Sequence, residues 1–190
     1  MQSNEPESGA EVREMLPTAR LILEPIRPDH ADELFEPLQD THLYTYIPQD
    51  APPSTEALRE RFAWLAAGKS PDGTQVWLNW VARRTDDGTV VGMYQATVYP
   101  DRIADIAYIT FIGSQGQGFA AEVCAEVIRH LGERYGVRVV GADIDTRNQA
   151  SIALVGRLGF SHVHTTKDAD FFKGASSDEH RYEMRISDVG

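Results

Sequence analysis

Apolar residues recur along this chain in two rhythms, and the two rhythms predict its elements. In "RLILEPI", Leu21 and Leu23 alternate with Ile22 and Glu24, the period of a strand. "DHADELFEPL" predicts a helix that opens on an acidic cap and is ended or kinked by Pro37. "YTYIPQDAPP" reads as a loop, and "STEALRERFAWLAAG" as a second helix capped by Ser54 and stopped by Gly68. "TQVWLNWVARR" and "TVVGMYQATVY", joined by "TDDG", predict an antiparallel hairpin, and "RIADIAYITFI" a further strand. In "GFAAEVCAEVIRHLGERYG" the residues Phe119, Val123, Val127, Leu131 and Tyr135 fall four apart, the buried stripe of a helix. "VRVVGADI" is apolar and β-branched, as a central strand would be. "NQASIALVGRLG" predicts the last helix, and "FSHVHTTK" and "RYEMRI" two strands flanking an acidic loop, "DADFFKGASSDEH". Residues 1–17 are polar and aperiodic and read as a loose tail, leaving one domain over 18–190. The order predicts an α/β fold, a mixed sheet with helices on its faces.

Composition narrows the class. At 190 residues the chain buries a core without staples. A net charge of −11 disfavours nucleic acid and anionic membranes as partners, and would favour cationic ones, though an acidic surface also serves solubility alone. Cys124 is the only cysteine, which excludes an intramolecular disulfide and a cysteine-based zinc cluster. No stretch reaches the length of a membrane span, and the start lacks a basic-then-apolar signal, so a cytoplasmic protein is expected.

The stretch "GSQGQGFAAEV" (113–123) is a glycine-rich turn running into a helix after an apolar strand. Free N–H groups at a helix start suit an anion such as a pyrophosphate. Three readings compete: a dinucleotide turn, a coenzyme A turn, or a plain loop. "GQGFAA" supplies G-x-G-x-x-A, with Asp143 and Asp145 as possible ribose partners. The layout opposes a dinucleotide fold, because one helix and two strands remain after those aspartates and a hairpin precedes the turn.

Three segments in order, "TARLILEPIRPDHADEL", "QGQGFA" and "NQASIALVGRLGF", resemble the GNAT acyltransferase superfamily and, within it, the RimJ/RimL-like group. The resemblance covers residues 18 to about 187. It implies a mixed, mostly antiparallel twisted sheet of about six or seven strands with a V-shaped split between the fourth and fifth. Acetyl-CoA would lie in that split, with its pyrophosphate on the N–H groups of Gln115, Gly116, Gln117, Gly118, Phe119 and Ala120. Backbone N–H near Ile109, Thr110 and Phe111 would polarise the thioester carbonyl; the side chains of these three read as core. Asn148 would cap its helix and lie near the pantetheine.

The chemistry so implied is N-acetylation of a primary amine, either a protein or peptide N-terminus or a small cationic amine, by direct attack through a tetrahedral intermediate and without metal. Many members place a tyrosine seven residues after the asparagine as proton donor to the thiolate; here that position is Val155. The RimJ/RimL-like group carries serine three residues after it, matched by Ser151, which reads equally as a helix-face serine. Asp105 matches a common acidic position and is the candidate base, with a solvent-facing strand acid as the other reading and Asp170 as its rival. His162 and His164, placed by alternation on one strand face, lack a third metal ligand and read as exposed. Trp77, Trp80, Tyr94 and Tyr108 line an acceptor pocket or belong to the core. A monomer or homodimer is expected. A non-catalytic acyl-CoA-binding module remains an alternative, and an NAD-binding oxidoreductase a distant one.

Overall fold

The computed structural model describes residues 14–186. Eight strands form one sheet: β1 (Leu16–Pro17), β2 (Leu21–Pro25), β3 (Val76–Arg84), β4 (Val90–Val98), β5 (Ile103–Thr110), β6 (Val139–Asp145), β7 (Ser161–Phe172) and β8 (Ala175–Arg185). Their order is β1-β2-β3-β4-β5-β6-β8-β7. Every pairing is antiparallel except β5 with β6. The four helices are α1 (His30–Leu34), α2 (Thr55–Leu65), α3 (Phe119–Tyr135) and α4 (Gln149–Arg157).

The expected tail of residues 1–17 falls mainly outside the described residues, but its end does not. Leu16 pairs with Leu23 and is buried in the core, so the ordered sheet reaches two residues into the segment expected to be tail. This added strand moves the expected split from the fourth and fifth strands to β5 and β6, the same two segments.

Alternation decides which side chain meets which helix. Trp80, Tyr94, Ala96 and Ile106 face α3, whose stripe of Phe119, Val123, Val127 and Leu131 is buried against them. Burial of such side chains contributes about 1.5–3 kcal/mol each. Val81, Met93 and Ile109 face the other way, onto Leu34 of α1 and Leu58 and Phe62 of α2. The Arg83 guanidinium fastens α1 to this face by reaching Glu24 at 2.9 Å and Glu33 at 2.7 Å. Helix α2 starts where expected, the Ser54 hydroxyl accepting the Ala57 N–H at 3.1 Å. Helix α1 is shorter than expected: it stops at Leu34, and Pro37 opens a separate 3-10 turn over Pro37–Gln39.

The expected acidic loop before the last strand is instead a long hairpin. β7 and β8 meet at Lys173–Gly174, both with positive φ, the two-residue turn that matches strand twist. The register slips between His162 and His164, which breaks the alternation expected to place them together. His162 reaches back to the Thr165 hydroxyl at 3.0 Å and packs on His180.

Candidate functional site

Strands β5 and β6 touch only at their beginnings. Their pairing runs from Ile103 with Val139 to Asp105 with Gly141 and then ends, after which β6 continues against β8 alone. The result is a V-shaped gap with β5 as one wall. The Tyr99 N–H donates to Ile103 O and the Phe111 N–H to Val91 O, both at 2.9 Å, so odd-numbered β5 residues bond to β4. The even-numbered ones, Tyr108 and Thr110, therefore direct their backbone groups into the gap. Of the expected donors Ile109, Thr110 and Phe111, only Thr110 faces the gap, because antiparallel pairing commits the other two; Tyr108 joins it. The Gln115 side-chain amide caps Thr110 O at 3.0 Å.

The glycine-rich turn closes the wide end of the gap. Gly116 and Gly118 have φ of +73° and +81°, a region costly for residues with a Cβ, and nothing lies within 4 Å of where a Cβ on Gly116 would sit. Ser114 and Gln115 use their N–H groups inside the preceding turn, and Glu122 is the first residue of α3 bonded back, to Gly118 O at 3.1 Å. Gln115 thus drops out of the expected anion-binding set. Among the described residues, the backbone N–H groups of Gly116, Gln117, Gly118, Phe119, Ala120 and Ala121 have no such partner, and the α3 dipole adds positive potential. The Phe119 side chain itself is buried core, with the Arg20 guanidinium 4.5 Å above its ring. Arg20 also reaches Gln117 O at 3.1 Å and pairs with Glu122 at 2.7 Å, which keeps a cation beside the turn.

On the α1/α2 face a cavity of about 470 Å³ opens beside the gap. Asn79, Met93, Gln95, Ala107 and Ile109 are turned toward it from the sheet, and Leu58, Arg61 and Phe62 from α2. Trp80, Tyr94 and Tyr108 also border it, but Trp80 and Tyr94 are built into the core under α3. Trp77 lies away, edge-on to Trp64. The loop over Ile47–Asp50 borders the cavity too, and Lys173 at the β7–β8 tip holds it through Ile47 O at 2.8 Å and Gln49 O at 3.2 Å.

The same face is rich in carboxylates. Pairing of Asp105 with Gly141, Gly141 with Glu183, Asp143 with Arg181 and Asp145 with Glu179 puts all of them on the cavity side of the sheet. Asp105 does not stand free as a base would: Arg181 holds it at 2.7 Å, together with Asp143 at 2.9 Å and Glu183 at 3.2 Å, and Tyr99 donates to it at 3.0 Å. Gly141 leaves the room for this, since a Cβ there would lie 2.0 Å from the guanidinium. Asp145 is bonded to Arg147, whose guanidinium holds its carboxyl down at about 2, and accepts the Ser177 hydroxyl at 2.7 Å. Glu179 has no side-chain partner among the described residues; burial, then the charges of Asp143, Asp170 and Asp145, push its pKa up. No motif in the sequence points to Glu179 or Arg181, because the pairing of β8 with β6 creates both environments.

On the α3/α4 face, Asn148 caps α4 by accepting the Ser151 N–H at 3.1 Å, as expected. The Ser151 side chain lies near the Tyr108 hydroxyl, across the gap from β5. Val155 is fully buried, and burial pushes the Cys124 thiol up to about 12, which removes it as a nucleophile.

A dinucleotide site is ruled out by this architecture. The sheet is not doubly wound, and Asp143 and Asp145 are paired with arginines rather than presented to a ribose.

A split sheet, an N–H cradle at the helix beyond it and an open cavity on the far face together make up the candidate site. The profile of the acetyltransferase (GNAT) domain matches residues 20–161, and the chain belongs to that family. It is 25% identical over 172 residues to the uncharacterized N-acetyltransferase YoaA of Bacillus subtilis (strain 168), covering 90% of this chain and 96% of that one. Among solved structures it superposes on RimL, a ribosomal L7/L12 alpha-N-protein acetyltransferase in complex with coenzyme A, with a TM-score of 0.81, 21% identity and coverage of 91% and 98%. Mycobacterium smegmatis RimJ in complex with CoA-disulfide gives a TM-score of 0.83 at 18% identity, with coverage of 94% and 90%. No helix among the described residues is long and apolar enough to cross a membrane.

Proposed function

We propose that this GNAT-family N-acetyltransferase moves the acetyl group of acetyl-CoA to a primary amine, a protein or peptide N-terminus or a small cationic amine. The observation that carries this is the gap between β5 and β6, whose unpaired wall meets the N–H cradle at Gly116–Ala121. The cradle suits the pyrophosphate. The gap-facing N–H groups of Tyr108 and Thr110 suit the pantetheine amides and the developing oxyanion. The carboxylate row and the cavity on the far face suit a cationic acceptor.

The acceptor attacks as a neutral amine, so a proton must leave it. We assign its acceptance, directly or through water, to Glu179 rather than to Asp105, which anchors Arg181. A raised pKa makes Glu179 the better base near neutrality, and the rate rises with pH as it ionises. The same shift opposes folding: the stability that protonated Glu179 contributes is full below its unfolded pKa and is lost as pH rises through the higher folded one. Glu179→Gln is therefore expected to lower kcat about 10- to 100-fold at neutral pH while leaving the melting temperature equal or higher. A wild-type pH–rate profile in the variant returns the base role to Asp105 or Asp170.

The absence of the usual tyrosine at Val155 supports the second reading, an acyl-CoA-binding module without turnover. Thermal-shift titration with acetyl-CoA, CoA and NAD, followed by thiol release with an amine panel, separates the readings. Saturable stabilisation by acetyl-CoA and CoA with thiol release supports the enzyme; stabilisation without release under any amine supports the module; stabilisation by NAD alone overturns both.

A further inference from the structure

We propose that Tyr108 is a catalytic residue that donates its phenolic hydrogen bond to the sulfur of the departing CoA thiolate, with Ser151 positioning that hydroxyl. The inference rests on the acetyl-CoA reading above.

Tyr108 stands on β5 beyond the last residue paired with β6, at the wall of the gap. Alternation sends its side chain to the α3/α4 face, where it stacks on Tyr94 at 6.4 Å. Tyr94 spends its hydroxyl on Thr110 at 3.0 Å. The Tyr108 hydroxyl is buried and has no hydrogen-bond partner among the described residues, an expensive state for a polar group unless something that arrives later satisfies it. The side chain near it is that of Ser151, at the first turn of α4 on the opposite side of the gap, close enough to influence the hydroxyl without forming a hydrogen bond to it. These two hydroxyls span the gap where an acyl donor threaded along β5 would carry its sulfur.

Burial, against the opposing pull of Ser151, pushes the Tyr108 hydroxyl up to about 12. A thiol titrates near 8.5, so the phenol keeps its proton and acts as a donor to the thiolate rather than as its acid. In the step itself, the amine nitrogen forms a bond to the thioester carbonyl carbon. The tetrahedral intermediate then collapses, the C–S bond breaks, and its electron pair goes to sulfur, where the Tyr108 O–H stabilises it. The proton that finally rests on CoA is the one the amine lost, delivered through the base and solvent. Such a contact exists only as charge builds on sulfur, so it lowers the barrier without tightening the ground state.

The test uses Tyr108→Phe, which removes one oxygen and keeps the ring. Its first readout needs no acceptor: the ultraviolet absorbance of the thiolate of bound CoA, followed against pH. The expected result is about tenfold less thiolate at a given pH in the variant, one unit of thiol pKa, with CoA affinity within about twofold. The second readout is turnover with saturating amine, where kcat falls about tenfold or more while KM for acetyl-CoA holds, a loss in the range of one hydrogen bond to a developing charge. Ser151→Ala lowers kcat in the wild-type background and adds little in Tyr108→Phe, because both act on one hydrogen bond. Bound CoA that titrates alike in both proteins overturns the proposal, as does a kcat loss accompanied by a lower melting temperature and weaker acetyl-CoA binding. CoA that fails to bind the wild type overturns the acetyl-CoA reading first.

Discussion

Gly118→Asp abolishes acetyl-CoA binding while the protein stays folded. Gly118 is the N-cap of α3 at φ +81°, so any Cβ there is strained by about 1–2 kcal/mol. Aspartate tolerates that region better than most residues, which keeps the fold. Its carboxylate, however, sits at the mouth of the N–H cradle. It competes with the pyrophosphate for the N–H groups of Ala120 and Ala121 as a capping side chain does, and it repels the phosphate charges. The Arg20 guanidinium lies 3.5 Å from the Cβ position and is drawn into a salt bridge with it, so the local cation is lost as well. Together these effects are expected to weaken binding by at least about 100-fold, a few kcal/mol in affinity. Gly118→Ala carries the strain without the charge and loses far less. Calorimetric titration of both variants with acetyl-CoA is the measurement; an unchanged Kd in Gly118→Asp removes the pyrophosphate from this turn.

The elements that position the cradle were legible in the sequence because they obey local rules. A fourfold apolar spacing marks α3, and glycines two apart mark a turn that needs positive φ. The split was legible only through the resemblance, since no pattern in "IADIAYITFI" tells that its last residues lose a neighbour. Residues 161–180 misled for a physical reason. Much of β7 is exposed at the sheet edge, so its pairing is carried by backbone bonds that do not depend on hydrophobic side chains, and acids there read as loop. Lys173–Gly174 was the available signal, a two-residue turn with glycine second. Leu16 was hidden by its polar company. The roles assigned to Tyr108, Glu179 and Arg181 arise from contacts between strands and helices distant in the chain, which single-sequence periodicity does not record.

Arg181→Ala destabilises the protein and loosens the gap at its apex. The guanidinium is largely buried and holds Asp105 on β5, Asp143 on β6 and Glu183 on β8, so one cation joins the strands on both sides of the split. Burial lowers its pKa, but the hydrogen bonds and charges of the three carboxylates outweigh that burial and raise it. Removing the cation leaves three anions near one another with a void at Gly141. The acids are partly exposed, so water and salt screen part of the cost, and the expected loss is about 2–4 kcal/mol, below that of a fully enclosed pair. Gly141→Ala is expected to act in the same direction, because its Cβ would lie 2.0 Å from the guanidinium and 2.5 Å from Asp105 Oδ1. The two variants together cost less than the sum of their separate effects, since each breaks the same cluster. High salt recovers part of the Arg181→Ala loss by screening the exposed repulsion. Denaturant unfolding at low and high ionic strength, paired with acetyl-CoA titration, reads both consequences. A variant as stable as the wild type at low salt shows that Asp105 does not depend on Arg181, and restores it as a candidate base.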